Sequence, residues 1–261
     1  MSRNAGKLVL ANVLGYILVI VVNGLANALP FNGLTTGEIS DAYPNLFTPA
    51  GFTFGIWGVI YLFLGVFVIR QVGYYLRRKQ LPVEVERIGG LFFFSCLMNA
   101  SWIAAWHYLM IPLSFIIMLL LLASLVLIYM RLRGGRLAGR RAASSFDYWT
   151  LHVPFRIYLG WITAATLANL MILLVHRGFD AMSTMGALLA SAMILTATIV
   201  AILMLAVKRD VIYSAVLLWT FTGILAQRLT ASELSMPVIV TAFIGIVMIL
   251  YGFLRVKLTA N

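Results

Sequence analysis

Long apolar runs alternate with short polar connections along the whole chain. The runs are continuous and show no period-two alternation, so they are typical of helices and not of the strands of a membrane barrel. At about 1.5 Å per residue, each can cross most or all of a hydrocarbon core about 30 Å thick. The pattern predicts eight transmembrane helices, of which the seventh is the shortest. They lie at about residues 8–29, 50–70, 89–108, 111–130, 149–175, 182–207, 211–227 and 237–254.

The composition supports the same fold class. Hydrophobic residues make up 62% of the chain and charged residues 10%, and the mean hydropathy is +1.00. Soluble domains carry about 45–50% apolar and about 25% charged residues. So large an apolar excess must be solvated by lipid, where helices satisfy their own backbone polar groups. We therefore predict an all-α polytopic membrane protein whose first partner is the lipid bilayer.

The basic residues indicate how the helices are oriented. Sixteen of the 19 Lys and Arg residues fall in connections on the same side, while the other side holds only Arg177 and Arg228. The remaining one, Arg156, lies inside the fifth segment. This asymmetry predicts cytoplasmic N and C termini. It also explains the net charge of +11 without a nucleic-acid partner.

The sequence shows no catalytic set of residues. There is one cysteine, no cluster with metal-ligand spacing, no Ser-His-Asp arrangement and no nucleotide-binding glycine motif. No carboxylate lies in the middle of an apolar run, which weakens the case for a proton-coupled transporter. We therefore expect a binding protein with no required cofactor and no metal.

One connection on the side poor in basic residues is long, at about residues 30–49. Its prolines and glycines predict turns, and it carries the acidic residues Glu38 and Asp41. An ordered loop of this length over one face of a helical bundle is a candidate lid, and a plain connector fits equally well.

Polar and tryptophan residues of three segments are predicted to lie at the same depth, in the outer half of the bundle below this loop. Two interpretations are open. The residues could line an aromatic cavity for a flat, largely apolar ligand, or they could be interfacial tryptophans and interhelical hydrogen-bonding groups. The residues are Trp57 in the second segment, Asn99 and Trp102 in the third, and Trp161, Thr166 and Asn169 in the fifth.

Three stretches in these segments resemble the TspO/translocator-protein family of tryptophan-rich sensory proteins. They read FTPAGFTFGIWGVIY (47–61), NASW (99–102) and YLGWITAATLAN (158–169), although the first is one residue shorter than usual between Gly55 and Trp57. The resemblance implies a five-helix bundle that binds tetrapyrroles, sterols or synthetic aromatic molecules in a pocket under the first loop. The positions that match the family's motifs are Trp57, Asn99, Trp102, Trp161, Ala165, Thr166 and Asn169.

The resemblance covers about residues 8–176, so we divide the chain into a TspO-like bundle (1–176) and three additional helices (177–261). It implies a bacterial inner-membrane protein of sensory or regulatory function, with a porphyrin or haem as ligand. A transporter of such a molecule, a porphyrin-degrading enzyme and a structural membrane protein remain alternatives, and a homodimer is left open.

Three further residues have less specific interpretations. His152 and Arg156 lie one turn apart near the cytoplasmic end of the fifth segment. They could bind an anionic head group or a propionate, or Arg156 could extend to the membrane surface. His107, at the outer end of the third segment, could be a haem ligand or a solvated interfacial residue.

Overall fold

The computed structural model describes residues 3–29, 31–137, 144–232 and 234–258. Apart from short 3-10 and π turns, its regular elements are α-helices. They are α1 (Arg3–Ala28), α2 (Thr36–Asp41), α3 (Ile56–Arg78), α4 (Val83–Ile88), α5 (Leu91–His107), α6 (Ile111–Leu137), α7 (Ser145–Asp147), α8 (Val153–His176), α9 (Thr184–Lys208), α10 (Val211–Thr230) and α11 (Met236–Leu258).

The all-α polytopic membrane fold predicted from the sequence is confirmed. Within the described residues, seven helices are long and apolar enough to cross a membrane. The third predicted segment, α5, has 17 residues and is not among these seven. Positive φ angles at Gly89 (57°) and Leu109 (57°) interrupt the helical backbone on either side of it. Its length lies at the lower end of the range for a spanning helix, about 17–25 residues.

The chain forms two compact units. The first contains Met1–Thr36 and Trp57–Leu159, and the second contains Gly37–Ile56 and Gly160–Asn261. The division falls within α8, so the N-terminal part of this helix belongs to the first unit and the rest to the second. The boundary predicted from the sequence, at residues 176/177, is drawn on a family resemblance and stays a prediction.

In the first unit, α1 and α6 both pack against α5. Three fully buried rings form the centre of this core. Phe67 of α3 lies 4.9 Å from Phe92 of α5 and 4.9 Å from Phe155 of α8, edge to face in both pairs. This geometry is the favoured one for aromatic pairs and adds about 0.5–1.5 kcal/mol to their burial.

In the second unit, α9, α10 and α11 pack against one another. Small residues allow neighbouring helices of this unit, including the C-terminal part of α8, to approach closely. A Cβ built on Gly160 of α8 would lie 2.9 Å from the backbone oxygen of Tyr213 and 2.9 Å from Cβ of Val216, both in α10. The Ser214 hydroxyl of α10 also donates to the Ala201 carbonyl of α9, at 3.0 Å. Close backbone contact and interhelical hydrogen bonds are what hold helices together in lipid.

Large apolar side chains cover the outside of both units. On α1, for example, Leu10, Leu14 and Ile17 are each at least half exposed. Exposure of so many aliphatic side chains to water would cost free energy, whereas lipid solvates them without penalty. The surface therefore supports an integral membrane protein in the same way as the helix lengths do.

Candidate functional site

Four aromatic rings of the first unit form a stacked column. Trp57 and Tyr61 are one turn apart on α3, with ring centroids 5.5 Å apart and planes inclined by 22°. Trp102 and Trp106 are one turn apart on α5, at 5.3 Å and 25°. Trp57 and Trp102 join the two pairs, at 6.3 Å and 29°. A helix places residues i and i+4 on one face, so two such faces together make a continuous aromatic wall.

A chain of buried hydrogen bonds lies beside this aromatic column. The side-chain amide of Asn23 in α1 donates to Oδ1 of Asn99 at 2.8 Å. The amide of Asn99 in turn donates to the Tyr158 hydroxyl of α8 at 2.9 Å, and the Tyr158 ring contacts Trp57 edge to face. Asn99 is fully buried, and its two hydrogen bonds connect α5 with α1 and α8. The sequence suggested Asn99 as a ligand contact and did not identify this network.

Two polar atoms of the column are buried without a hydrogen-bond partner among the described residues, the Tyr61 hydroxyl and the indole N–H of Trp102. The side chain of Trp102 is 6% exposed. The neighbouring Trp106 differs, because its Nε1 donates to the Thr36 carbonyl at 3.2 Å. A buried donor without an acceptor costs about 1–3 kcal/mol. Trp102 thus has a donor available for a bound molecule.

The remaining predicted pocket residues lie on α8 in the second unit. Trp161 is buried and contacts Phe54 edge to face at 5.8 Å, and Asn169 is buried as well. Ala165 is partly exposed, and the Thr166 hydroxyl donates to the Ile162 carbonyl one turn back at 2.6 Å. The structure thus brings Trp57, Asn99 and Trp102 together in one unit, while the α8 residues belong to the other.

The predicted lid loop is ordered by hydrogen bonds in both units. In the first, the amide of Asn32 donates to the His107 carbonyl at 3.3 Å. In the second, Asn45 holds a turn, because its Oδ1 accepts from the backbone amides of Phe47 and Thr48 at 2.9 and 2.8 Å. Glu38 and Asp41 lie on α2 within this loop. Their role as a lid stays a prediction.

His107 is fully buried, so the interpretation as a solvated interfacial residue is wrong. Its Nε2 lies 3.0 Å from the Thr36 hydroxyl and its Nδ1 lies 3.3 Å from the Phe31 carbonyl. A neutral imidazole with its proton on Nδ1 would satisfy both contacts. Both ring nitrogens are therefore engaged within the first unit, which leaves neither for a haem iron.

The suggested anion contacts His152 and Arg156 meet Tyr148 in the first unit. A π turn over Tyr148–His152 precedes α8 and stacks the rings of Tyr148 and His152 at 6.0 Å. Arg156 donates to the Tyr148 hydroxyl at 2.9 Å and its guanidinium lies 5.0 Å from the Tyr148 ring centroid. Both suggested residues are buried, and Arg156 does not extend to the surface. Their anion contact stays a prediction.

Two cavities have linings that include no residue of the aromatic column. One, of about 480 Å³, belongs to the first unit and is lined by Arg70, Arg77 and Arg78, of which Arg70 forms a 2.7 Å ion pair with Asp147. The other, of about 410 Å³, belongs to the second unit and lies between the loop after α2 and the C-terminal end of α10. Its lining includes Arg228, which the sequence identified only as one of two cations on its side of the membrane.

The described residues include no group of three or more His, Cys, Asp or Glu side chains placed to hold a metal ion.

The helices and their lipid-facing surfaces define a polytopic α-helical integral membrane protein, with an aromatic column built from two of its helices.

A family model described as TSPO-like protein matches residues 9–255 of this chain, which therefore belongs to that family. The match extends beyond the five helices covered by the sequence resemblance and includes α9, α10 and most of α11. No curated protein and no solved structure shows a significant match to the chain.

Proposed function

We propose that this protein binds a flat, largely apolar molecule of the tetrapyrrole kind and acts as a sensor or regulator in the membrane. The observation that carries the proposal is the stacked aromatic column, in which the indole N–H of Trp102 has no acceptor among the described residues. Aromatic faces attract a flat ring system by offset stacking and by apolar burial. Membership of the TSPO-like family supports the same class of ligand.

The polar part of the ligand would accept a hydrogen bond from Trp102 Nε1. This contact would relieve the cost of the unmatched buried donor and would also orient the ring plane along the column. Asn99 is less suited to this task, since both ends of its amide already bond within the protein. We therefore assign the orienting contact to Trp102, with Trp57 providing stacking area.

Replacement of Trp102 by Phe tests this assignment. The substitution keeps an aromatic ring in the column and removes the N–H, so we expect protoporphyrin IX to bind about five- to tenfold more weakly, which corresponds to about 1–1.4 kcal/mol. Binding is measured by quenching of the tryptophan fluorescence of the purified protein, and circular dichroism verifies the fold. Trp149→Phe is the matched control, because Trp149 is 51% exposed and lies outside the column.

Equal affinity of the Trp102→Phe and Trp149→Phe proteins would contradict the orienting role of Trp102. Absence of saturable quenching in the wild-type protein would contradict the tetrapyrrole class as a whole. Trp161→Leu tests the predicted residues of the second unit in the same assay. Unchanged affinity in that variant would remove them from the proposed site.

A second pair of measurements separates a sensor from the alternatives. A transporter would move the porphyrin across sealed proteoliposomes, and a degrading enzyme would deplete it with time under light. We expect neither at a rate above protein-free controls.

We also propose that both termini face the cytoplasm of a bacterial inner membrane, on the basis of the Lys and Arg distribution. Single cysteines at Lys7 and Arg177, introduced into a Cys96→Ala background, test the orientation by labelling from outside intact cells. Only the Arg177 position should react with an impermeant maleimide.

A further inference from the structure

The cavity of the second unit is lined by a buried cation that has no ion-pair partner among the described residues. Arg228 lies in the last turn of α10 and is 5% exposed. Its Nε has no hydrogen-bond partner among the described residues, and no described carboxylate lies within 4 Å of its guanidinium. Burial of an unpaired charge costs several kcal/mol, so side chains in this situation are normally paired or ligand-bound.

Other groups of the same cavity complement an anion. Gln227, which is partly exposed, and Ser40 of α2 line the same cavity as Arg228, so its lining includes an amide and a hydroxyl as well as the guanidinium. The planar guanidinium offers two parallel N–H donors, which match two oxygens of a phosphate or carboxylate. The volume of about 410 Å³ lies within the range of small-molecule sites, about 300–1,000 Å³.

We propose that this cavity binds the phosphodiester head group of a membrane lipid and that Arg228 donates hydrogen bonds to the phosphate. The position favours a lipid, because Arg228 lies at the end of an apolar helix of membrane-spanning length. Asp41 lines the cavity and is exposed, so it disfavours a doubly charged phosphate more than a singly charged diester. Asp41 would also attract the ammonium of an ethanolamine head group.

The site is distinct from the proposed aromatic ligand site, since its lining residues all belong to the second unit and none belongs to the column. Among residues on the side poor in basic residues, Arg177 provides a matched comparison. It is exposed, whereas Arg228 is buried. A non-specific effect of positive charge on lipid binding would involve both arginines, whereas a specific site in the cavity requires only Arg228.

The test is binding of short-chain phosphatidylethanolamine, below its micellar concentration, to the full-length protein in an uncharged detergent. Isothermal titration calorimetry measures the affinity, and circular dichroism verifies the fold. We expect Arg228→Gln to weaken binding at least tenfold and Arg177→Gln to leave it unchanged. Arg228→Lys keeps the charge but loses the bidentate hydrogen bonding, so it should weaken binding by a smaller factor than Arg228→Gln does.

Two outcomes with these variants and ligands would overturn the proposal. One is equal lipid affinity of the Arg228→Gln, Arg228→Lys and Arg177→Gln proteins. The other is inorganic phosphate that binds as tightly as the lipid, which would indicate a soluble anion in place of a head group.

Glu233, outside the described residues, is the nearest acidic residue in sequence to Arg228. If it neutralised Arg228, Glu233→Gln would raise the lipid affinity strongly and the proposal would fail. We expect this variant to bind lipid as the wild-type protein does. Asp41→Asn should reduce the preference for phosphatidylethanolamine over phosphatidylglycerol, because the carboxylate that attracts the ammonium is removed.

Discussion

Gly160→Ala should lower the free energy of unfolding by about 1–3 kcal/mol, the usual cost of overpacking. The added Cβ would lie 2.9 Å from both the Tyr213 carbonyl oxygen and the Val216 Cβ. Neither atom is the far end of a flexible side chain, so α8 and α10 must move apart. The measurement is the midpoint of unfolding in mixed detergent micelles as the proportion of a denaturing detergent rises.

Gly24→Ala is the control for this prediction. Gly24 also lies inside a helix, but a Cβ built on it meets no other atom within 4 Å. Alanine is the better helix former, by about 0.5–1 kcal/mol, so this variant should be neutral or slightly more stable. If the two variants behaved alike, the close contact of α8 with α10 would not contribute to stability.

Asn99→Leu should destabilise the protein by about 1–2 kcal/mol in the absence of any ligand. The substitution removes the hydrogen bonds to Asn23 and Tyr158 and leaves the Tyr158 hydroxyl buried without the amide that donates to it. In a double-mutant cycle, Asn23→Leu and Asn99→Leu should show a coupling energy of about 0.6 kcal/mol, the average for hydrogen bonds between membrane helices. Unfolding midpoints of the four proteins give this value.

Asn27→Leu is the matched control for the buried network. Asn27 is exposed on the same helix as Asn23 and donates only to the Asn23 carbonyl one turn back, at 2.9 Å. Its replacement should change stability little. Additive effects of Asn23→Leu and Asn99→Leu would show that their contact contributes nothing. A loss of porphyrin binding in a fully stable Asn99→Leu protein would restore Asn99 as a direct ligand contact.

Some properties of this protein follow from local stretches of sequence. The positions of the helices are one such property. Every segment in lipid must satisfy its own backbone hydrogen bonds, so the length and apolarity of each helix are visible directly in the sequence. The segment at 211–227, the shortest expected, is the full helix Val211–Thr230. Family membership is another such property, since the motifs around Trp57, Asn99 and Trp161 lie in short contiguous stretches. Neither property depends on which helices meet.

The tertiary structure decided the roles of individual polar side chains. Asn99 and Trp102 were equal candidates in the sequence. The Asn99 amide bonds across three helices, whereas the Trp102 indole has no acceptor among the described residues. Arg228 and Arg177 were equally two cations on one side, yet only Arg228 is buried in a cavity. Hydrogen-bond partners and burial depend on contacts between residues far apart in the chain, and helical periodicity gives only the face on which each residue lies.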